Sequence, residues 1–347
     1  MQPALLKTTV VGSYPQPDTL IDRTVLHTHL VPRARAQGLW RGDDSARNAA
    51  IREATLNAIR DMEAAGLDVV TDGEIARESY SNHFALSLSG IDAEQPALIT
   101  SITGHEVRVP RVVRPIRHQG PVEHEWACFL RASTRRVAKL TLPGPFTLAQ
   151  QVKDEFYRDP DALTLDFARA LNEEAKLLET TGIDVLQLDE PWLRNDPIGA
   201  RRIAVPAINR AFEGIKIRKA VHLCFGYAFL RPEKDFRTYD FLTELAASSV
   251  DEISIEAAQP RLDLEVLAQL APKDVAVGVL DLSTQGAESA DIVAARIRAS
   301  LRWLPAERML IAPDCGLKYM TRDVAFARLS AMVVAARRVR KELGEGI

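Results

Sequence analysis

His222, Cys224, Glu256 and Cys315 stand at the ends of three short apolar segments, AVHLCFG, EISIEAA and MLIAPDCG. One imidazole, two thiolates and one carboxylate form a ligand set that suits Zn2+. His222 and Cys224 are two positions apart, so on a strand both side chains point to the same face. In such a set Glu256 is the harder and weaker ligand, the one expected to yield when an incoming thiol arrives. An ion held this way lowers the thiol's pKa, so that the thiol binds as a nucleophilic thiolate. The chemistry expected of such a site is the alkylation of a thiol.

Taken singly, these residues have plainer readings. A His-x-Cys pair on a strand can be a satisfied core pair, and Cys315 can be a small core hydrophobe. A charged residue closing the apolar run EISIEA speaks for the metal centre. On residue types alone both readings stay open.

The elements that must position these groups follow a regular order. Eight β-rich runs fall at 8–13, 68–74, 137–145, 184–191, 217–224, 252–257, 275–282 and 308–315. They are apolar and β-branched without clean alternation, which predicts parallel strands buried on both faces. Helical patterns lie between them at 44–66, 161–182, 238–249, 262–271, 287–303 and 321–343, the first two closing on glycine. The alternation predicts an α/β fold, a (β/α)8 TIM barrel spanning 1–347 as one catalytic domain. Between the second and third strands an elaborated loop, about 78–136, carries HEVRVPRVVRPIRHQGP and is expected to hold extra strands.

In this fold active sites lie at the C-terminal ends of the strands. Those ends carry Ser13, Glu74, Asp189, Glu190, His222, Cys224, Glu256, Asp281 and Cys315. A purely structural barrel has little reason to collect so many ionisable groups at one rim. Tyr14, Arg77, Tyr80 and Trp192 lie close to the same ends without a role that the sequence assigns.

Composition narrows the class of protein. The chain has 347 residues, 46% hydrophobic and 26% charged, with a formal net charge of −3. That balance argues against nucleic acid or an anionic membrane as the main partner. No apolar run reaches the roughly 18 residues of a membrane span, and the N-terminus lacks a signal peptide's order. Three cysteines, one of them the distant Cys128, predict no disulfide framework. A reduced, cytoplasmic protein is expected.

The motifs VVGSYPQ, DGE, LPGPFTL, LQLDEP, HLC, SIEA, GVLDL and APDCGLK run in order from residue 10 to residue 318. Together they resemble the catalytic half of cobalamin-independent methionine synthase, with the family's separate N-terminal barrel missing. The resemblance implies zinc on His222, Cys224, Glu256 and Cys315, in agreement with the residues read alone. It also implies a homocysteine pocket, in which Gly12 and Ser13 hold the amino-acid carboxylate while Glu74 and Asp189 hold the ammonium. A desolvated amine needs anionic partners, so two carboxylates there make physical sense. Asp281, the aspartate of the strand-seven motif, is implied as a catalytic residue.

Two departures concern the methyl donor. The family's histidine after the strand-seven aspartate is replaced within Asp281-Leu282-Ser283, and its folate-associated tryptophan falls at about Gln151. Methyltetrahydrofolate needs protonation of its leaving nitrogen, whereas a corrinoid or a sulfonium does not. A non-folate donor is therefore expected, a methylcorrinoid or a methylcorrinoid carrier protein foremost. Alternatives are a folate-dependent synthase and the alkylation of another thiol, such as epoxide opening by coenzyme M. The last would pair a sulfonate with cations rather than with Glu74 and Asp189.

Overall fold

A computed structural model describes residues 5–28, 33–100, 106–225, 239, 241–284 and 286–344. The chain begins with a short helix, α1 (Arg23–Thr28), and a long one, α2 (Asp44–Ala65). Asp43 accepts a hydrogen bond from the Ala46 N–H at 2.8 Å, and Gly66 closes α2 at φ 89°. Only glycine takes that conformation without steric cost, which is why the helix stops there. Strand β1 (Val69–Val70) follows, then the one-turn α3 (Asn82–Ala85).

The elaborated loop does hold extra strands. β2 (Ser89–Thr100) and β3 (Glu106–Arg117) pair antiparallel, and α4 (His124–Ser133) returns the chain to the barrel. Arg111 ties β3 to Asp92 at 2.6 Å and to Glu155 at 3.1 Å. The buried Glu174 carboxylate accepts the Val122 and Glu123 N–H groups, which pins the end of the insertion to the barrel's helical layer.

The rest alternates as expected. β4 (Val137–Pro143) leads to α5 (Pro145–Gln150), β5 (Lys153–Asp154) and α6 (Pro160–Glu179). β6 (Val185–Asp189) is followed by α7 (Pro197–Ala211), then β7 (Arg218–Leu223), β8 (Glu252–Ile255) and β9 (Asp274–Leu280). α8 (Ala290–Ser300), β10 (Met309–Pro313) and α9 (Arg322–Glu342) end the chain order.

Seven strands form one parallel sheet in the order β1-β4-β6-β7-β8-β9-β10. Thr8 bridges in parallel to Ile311, while its carbonyl accepts the Asp68 and Val69 N–H groups at 3.1 and 3.0 Å. The first predicted strand thus sits between β10 and β1 and closes the ring, giving the TIM-barrel fold.

Two predicted helices differ. The stretches expected at 238–249 and 262–271 contain the 3-10 turns Leu242–Ala247 and Leu264–Leu270, and residues 238 and 240 lie outside the described ones. Each turn spans seven residues or fewer and takes the tighter i→i+3 hydrogen-bonding that short connectors use. The helix α7 was not expected, because Gly199 and Pro206 interrupt its pattern. Asp196 starts it by accepting the Gly199 N–H at 2.9 Å. No described helix is long and apolar enough to cross a membrane.

Candidate active site

Strand register explains how the rim assembles. Pro143 pairs with Asp189, Asp189 with His222, and His222 with Ser254, so four neighbouring strands place these residues at one level. Alternation then carries Thr141, Gln187, Asp189, His222 and Ser254 inward from their strands.

Ligand atoms of His222, Cys224 and Cys315 all lie within 4.8 Å of one another, and all three residues are buried. His222 Nδ1 meets Ser254 Oγ at 2.9 Å, and its Nε2 is buried without a hydrogen-bond partner among the described residues. Burial first, and the Lys139 ammonium second, push the imidazole down to about 3, so the ring is neutral at physiological pH. A neutral ring with one nitrogen spoken for and the other bare is what a metal ligand requires.

Glu256 falls outside the 4.8 Å group. Its Oε1 accepts the Phe225 N–H at 3.0 Å, and its Oε2 is buried without a partner among the described residues. Burial, then the neighbouring Cys315 and Asp314, push its carboxyl well above the usual carboxylate range. Two buried, unpartnered polar atoms beside two thiols fit a cation: it would take the free imidazole nitrogen and relieve the uncompensated acid. The residues present therefore suit a thiolate-loving divalent ion.

One small cavity joins this group to the expected substrate residues. Its walls are Val11, Ser13, Glu74, Tyr80, Asp189, Pro191, His222, Cys224, Cys315 and Gly316. Ser13, Glu74 and Asp189 thus share a single space with His222, Cys224 and Cys315. Asp189 Oδ1 accepts from Gln187 Nε2 at 2.7 Å, and its carboxyl is pushed up to about 8, chiefly by burial and next by the charge of Glu74. Glu74 has φ 52°, a left-handed conformation rare outside glycine, and its Oε1 accepts from Thr141 Oγ1 at 2.9 Å.

Gly12 and Asp281 are placed differently. Gly12 is set back from the cavity wall, and a Cβ there would stand 2.3 Å from Glu74 Oε1. Its absence of a side chain makes room for the carboxylate. Asp281 does not line the cavity; its Oδ1 accepts the Ser283 N–H at 2.9 Å and the Ser283 hydroxyl at 2.5 Å, within an exposed turn. Glu190 does not line the cavity either, accepting the Phe146 and Thr147 N–H groups at 3.0 and 2.8 Å. It fixes the LPGPF turn at the start of α5.

Asp314, Gly278 and Ser254 were not read from the sequence. Asp314 is fully buried and accepts the N–H groups of Ala257, Ala258 and Gln259, holding the loop after Glu256 beside Cys315. Gly278 leaves space for it, since a Cβ there would lie 2.2 Å from Asp314 Oδ1. Gln151 donates to the Tyr80 hydroxyl at 2.8 Å and accepts from Ser81 at 2.6 Å, which holds Tyr80 against the cavity. Ser254 was hidden in the apolar run EISIEA, where only the strand register brings it to His222.

The family model of the cobalamin-independent synthase catalytic domain matches residues 6–338. The chain belongs to this family. It is a methyltransferase of the methionine synthase family, and its curated relatives have much the same length. A methionine synthase of Pyrococcus abyssi is 32% identical over 99% of this chain and 95% of its own. One of Saccharolobus solfataricus is 31% identical over 98% and 96%. Among solved structures, a B12-independent methionine synthase of Shewanella sp. W3-18-1, in complex with selenomethionine, superimposes with a TM-score of 0.89. It shares 31% identity, over 98% of this chain and 99% of that one.

Proposed function

We propose that this cobalamin-independent synthase relative methylates the thiol of homocysteine to give methionine, with zinc held by His222, Cys224, Cys315 and Glu256, from a donor other than a folate. One observation carries the reading: carboxylates and thiols line a single cavity, Glu74 and Asp189 together with Cys224 and Cys315. An amino-acid thiol has the matching ends, an ammonium and a sulfur. The Shewanella relative's complex with selenomethionine supports an amino acid of this shape.

Zinc bound at the three ligands would lower the thiol's pKa and hold its sulfur as thiolate. Ser254 fixes the imidazole so that Nε2 faces the ligand group. Glu256 stands outside that group, with Oε1 on the Phe225 N–H and the buried Oε2 as the atom it would offer to the ion. Glu74 and Asp189 orient the amine, and Ser13 offers a hydroxyl for the carboxylate. The thiol's proton leaves on binding; the S–CH3 bond then forms as the donor's CH3–X bond breaks, and its electron pair departs with X.

The donor reading rests on the two positions where this chain departs from the family, Ser283 and Gln151. Ser283 presents a hydroxyl tied to Asp281, with no proton to give near neutral pH, and Gln151 is occupied with Tyr80. A leaving group that needs no proton, such as Co(I) or a neutral thioether, suits this site. The proposal is confined to the donor's leaving group. The two carboxylates in the cavity speak against a thiol that ends in a sulfonate.

Zinc-loaded protein is to be assayed for methionine from homocysteine with methylcobalamin, a methylsulfonium or methyltetrahydrofolate. Turnover with either of the first two, and none with the folate, is expected. Efficient turnover with methyltetrahydrofolate alone would overturn the donor assignment.

A further inference from the structure

Glu74 does not hold its carboxylate unaided, and what holds it has a defined direction. Thr141 Oγ1 lies 2.9 Å from Glu74 Oε1 and 2.9 Å from Arg77 Nη1. The same Arg77 nitrogen donates to the Thr141 carbonyl at 2.9 Å. A guanidinium only donates, so Thr141 Oγ1 must accept from Arg77, and its single proton is left for Glu74. Arg77 is itself buried and anchored by Glu123, 3.0 Å from its Nε. Glu123 lies at the end of the loop inserted between the second and third barrel strands.

We propose that Thr141 is a positioning residue for amine recognition: it fixes Glu74 Oε1, leaving the other carboxylate oxygen and Asp189 for the substrate's ammonium. Arg77 sets the direction of the hydroxyl proton. The inference rests on the reading that Glu74 and Asp189 bind the ammonium. Thr141 would then decide how strongly an amine-bearing thiol is preferred over the same thiol without its amine.

The test is calorimetric binding to zinc-loaded protein of homocysteine and of the sulfanylbutanoate that lacks its amine. Wild-type protein is expected to bind homocysteine more tightly. Thr141→Val should weaken homocysteine by about tenfold, the scale of one charge-assisted hydrogen bond, and leave the amine-free thiol unchanged. Thr141→Ser should restore the preference, and Thr141→Ala carries the same comparison should the valine variant not fold. Equal weakening of both thiols, or an unchanged preference in Thr141→Val, overturns the role of Thr141 while the ammonium reading stands. No preference in the wild type overturns the ammonium reading itself, and the inference with it.

Discussion

His222 Nδ1 lies 2.9 Å from Ser254 Oγ, a contact made because the two residues are direct partners on adjacent strands. The serine fixes the ring's rotation and leaves Nε2 to the neighbouring thiols. Ser254→Ala should weaken zinc binding by about 10–100-fold, the usual effect of losing such an outer partner. Competition with a chromophoric chelator measures it, and circular dichroism should show an unchanged fold. Wild-type affinity would mean that packing alone holds the ring.

Gly12→Ala places a Cβ 2.3 Å from Glu74 Oε1 and 2.9 Å from Thr141 Cγ2. Neither neighbour can move freely, since each holds the other. Overpacking of this kind costs about 1–3 kcal/mol. Part of it should appear as a KM for homocysteine raised about tenfold, with zinc content intact. Steady-state kinetics with homocysteine varied is the check.

Asp189 is pushed up to about 8, by burial and then by Glu74. An ammonium pairs with the ionised form, so below that pH binding must first expel a proton. Affinity for norvaline, an amino acid with no thiol to titrate, should therefore rise with pH by up to about tenfold per unit and level off near pH 8. Asp189→Asn should bind more weakly and lose the slope. A slope that persists in the variant assigns the proton to another group.

Asp314→Ala strands three N–H groups that the carboxylate now accepts. Each buried orphan costs about 1–3 kcal/mol, so a loss of about 3 kcal/mol or more is expected from urea unfolding. Because the loop it holds follows Glu256 directly, zinc retention on dialysis should fall as well. Asp314→Asn, which keeps an acceptor oxygen, should lie between.

The barrel was legible because its strands are apolar runs of strand length, and because α2 ends at the expected Gly66 and α6 (Pro160–Glu179) falls where the 161–182 pattern put it. The thiol and imidazole cluster was legible because two-residue spacing fixes which face His222 and Cys224 share. What stayed hidden depends on pairs distant in sequence: Thr141 with Glu74, Ser254 with His222, and Asp314 with Gly278. A threonine within LTLP or a serine within EISIE reads as strand filler until register says what it faces. The close approach of Gly12 to Glu74 follows from packing that no local pattern encodes. Asp281, read from its motif, sits in a turn with Ser283 and away from the cavity.

In the proposed reaction the substrate's sulfur joins an ion held by His222, Cys224 and Cys315. X-ray absorption at the zinc edge, with and without homocysteine, tests it most directly. Two sulfur neighbours are expected in the absence of homocysteine and a third on its addition, at the expense of an oxygen. An unchanged sulfur count on saturation with homocysteine, or an ion with no sulfur neighbours, would contradict it.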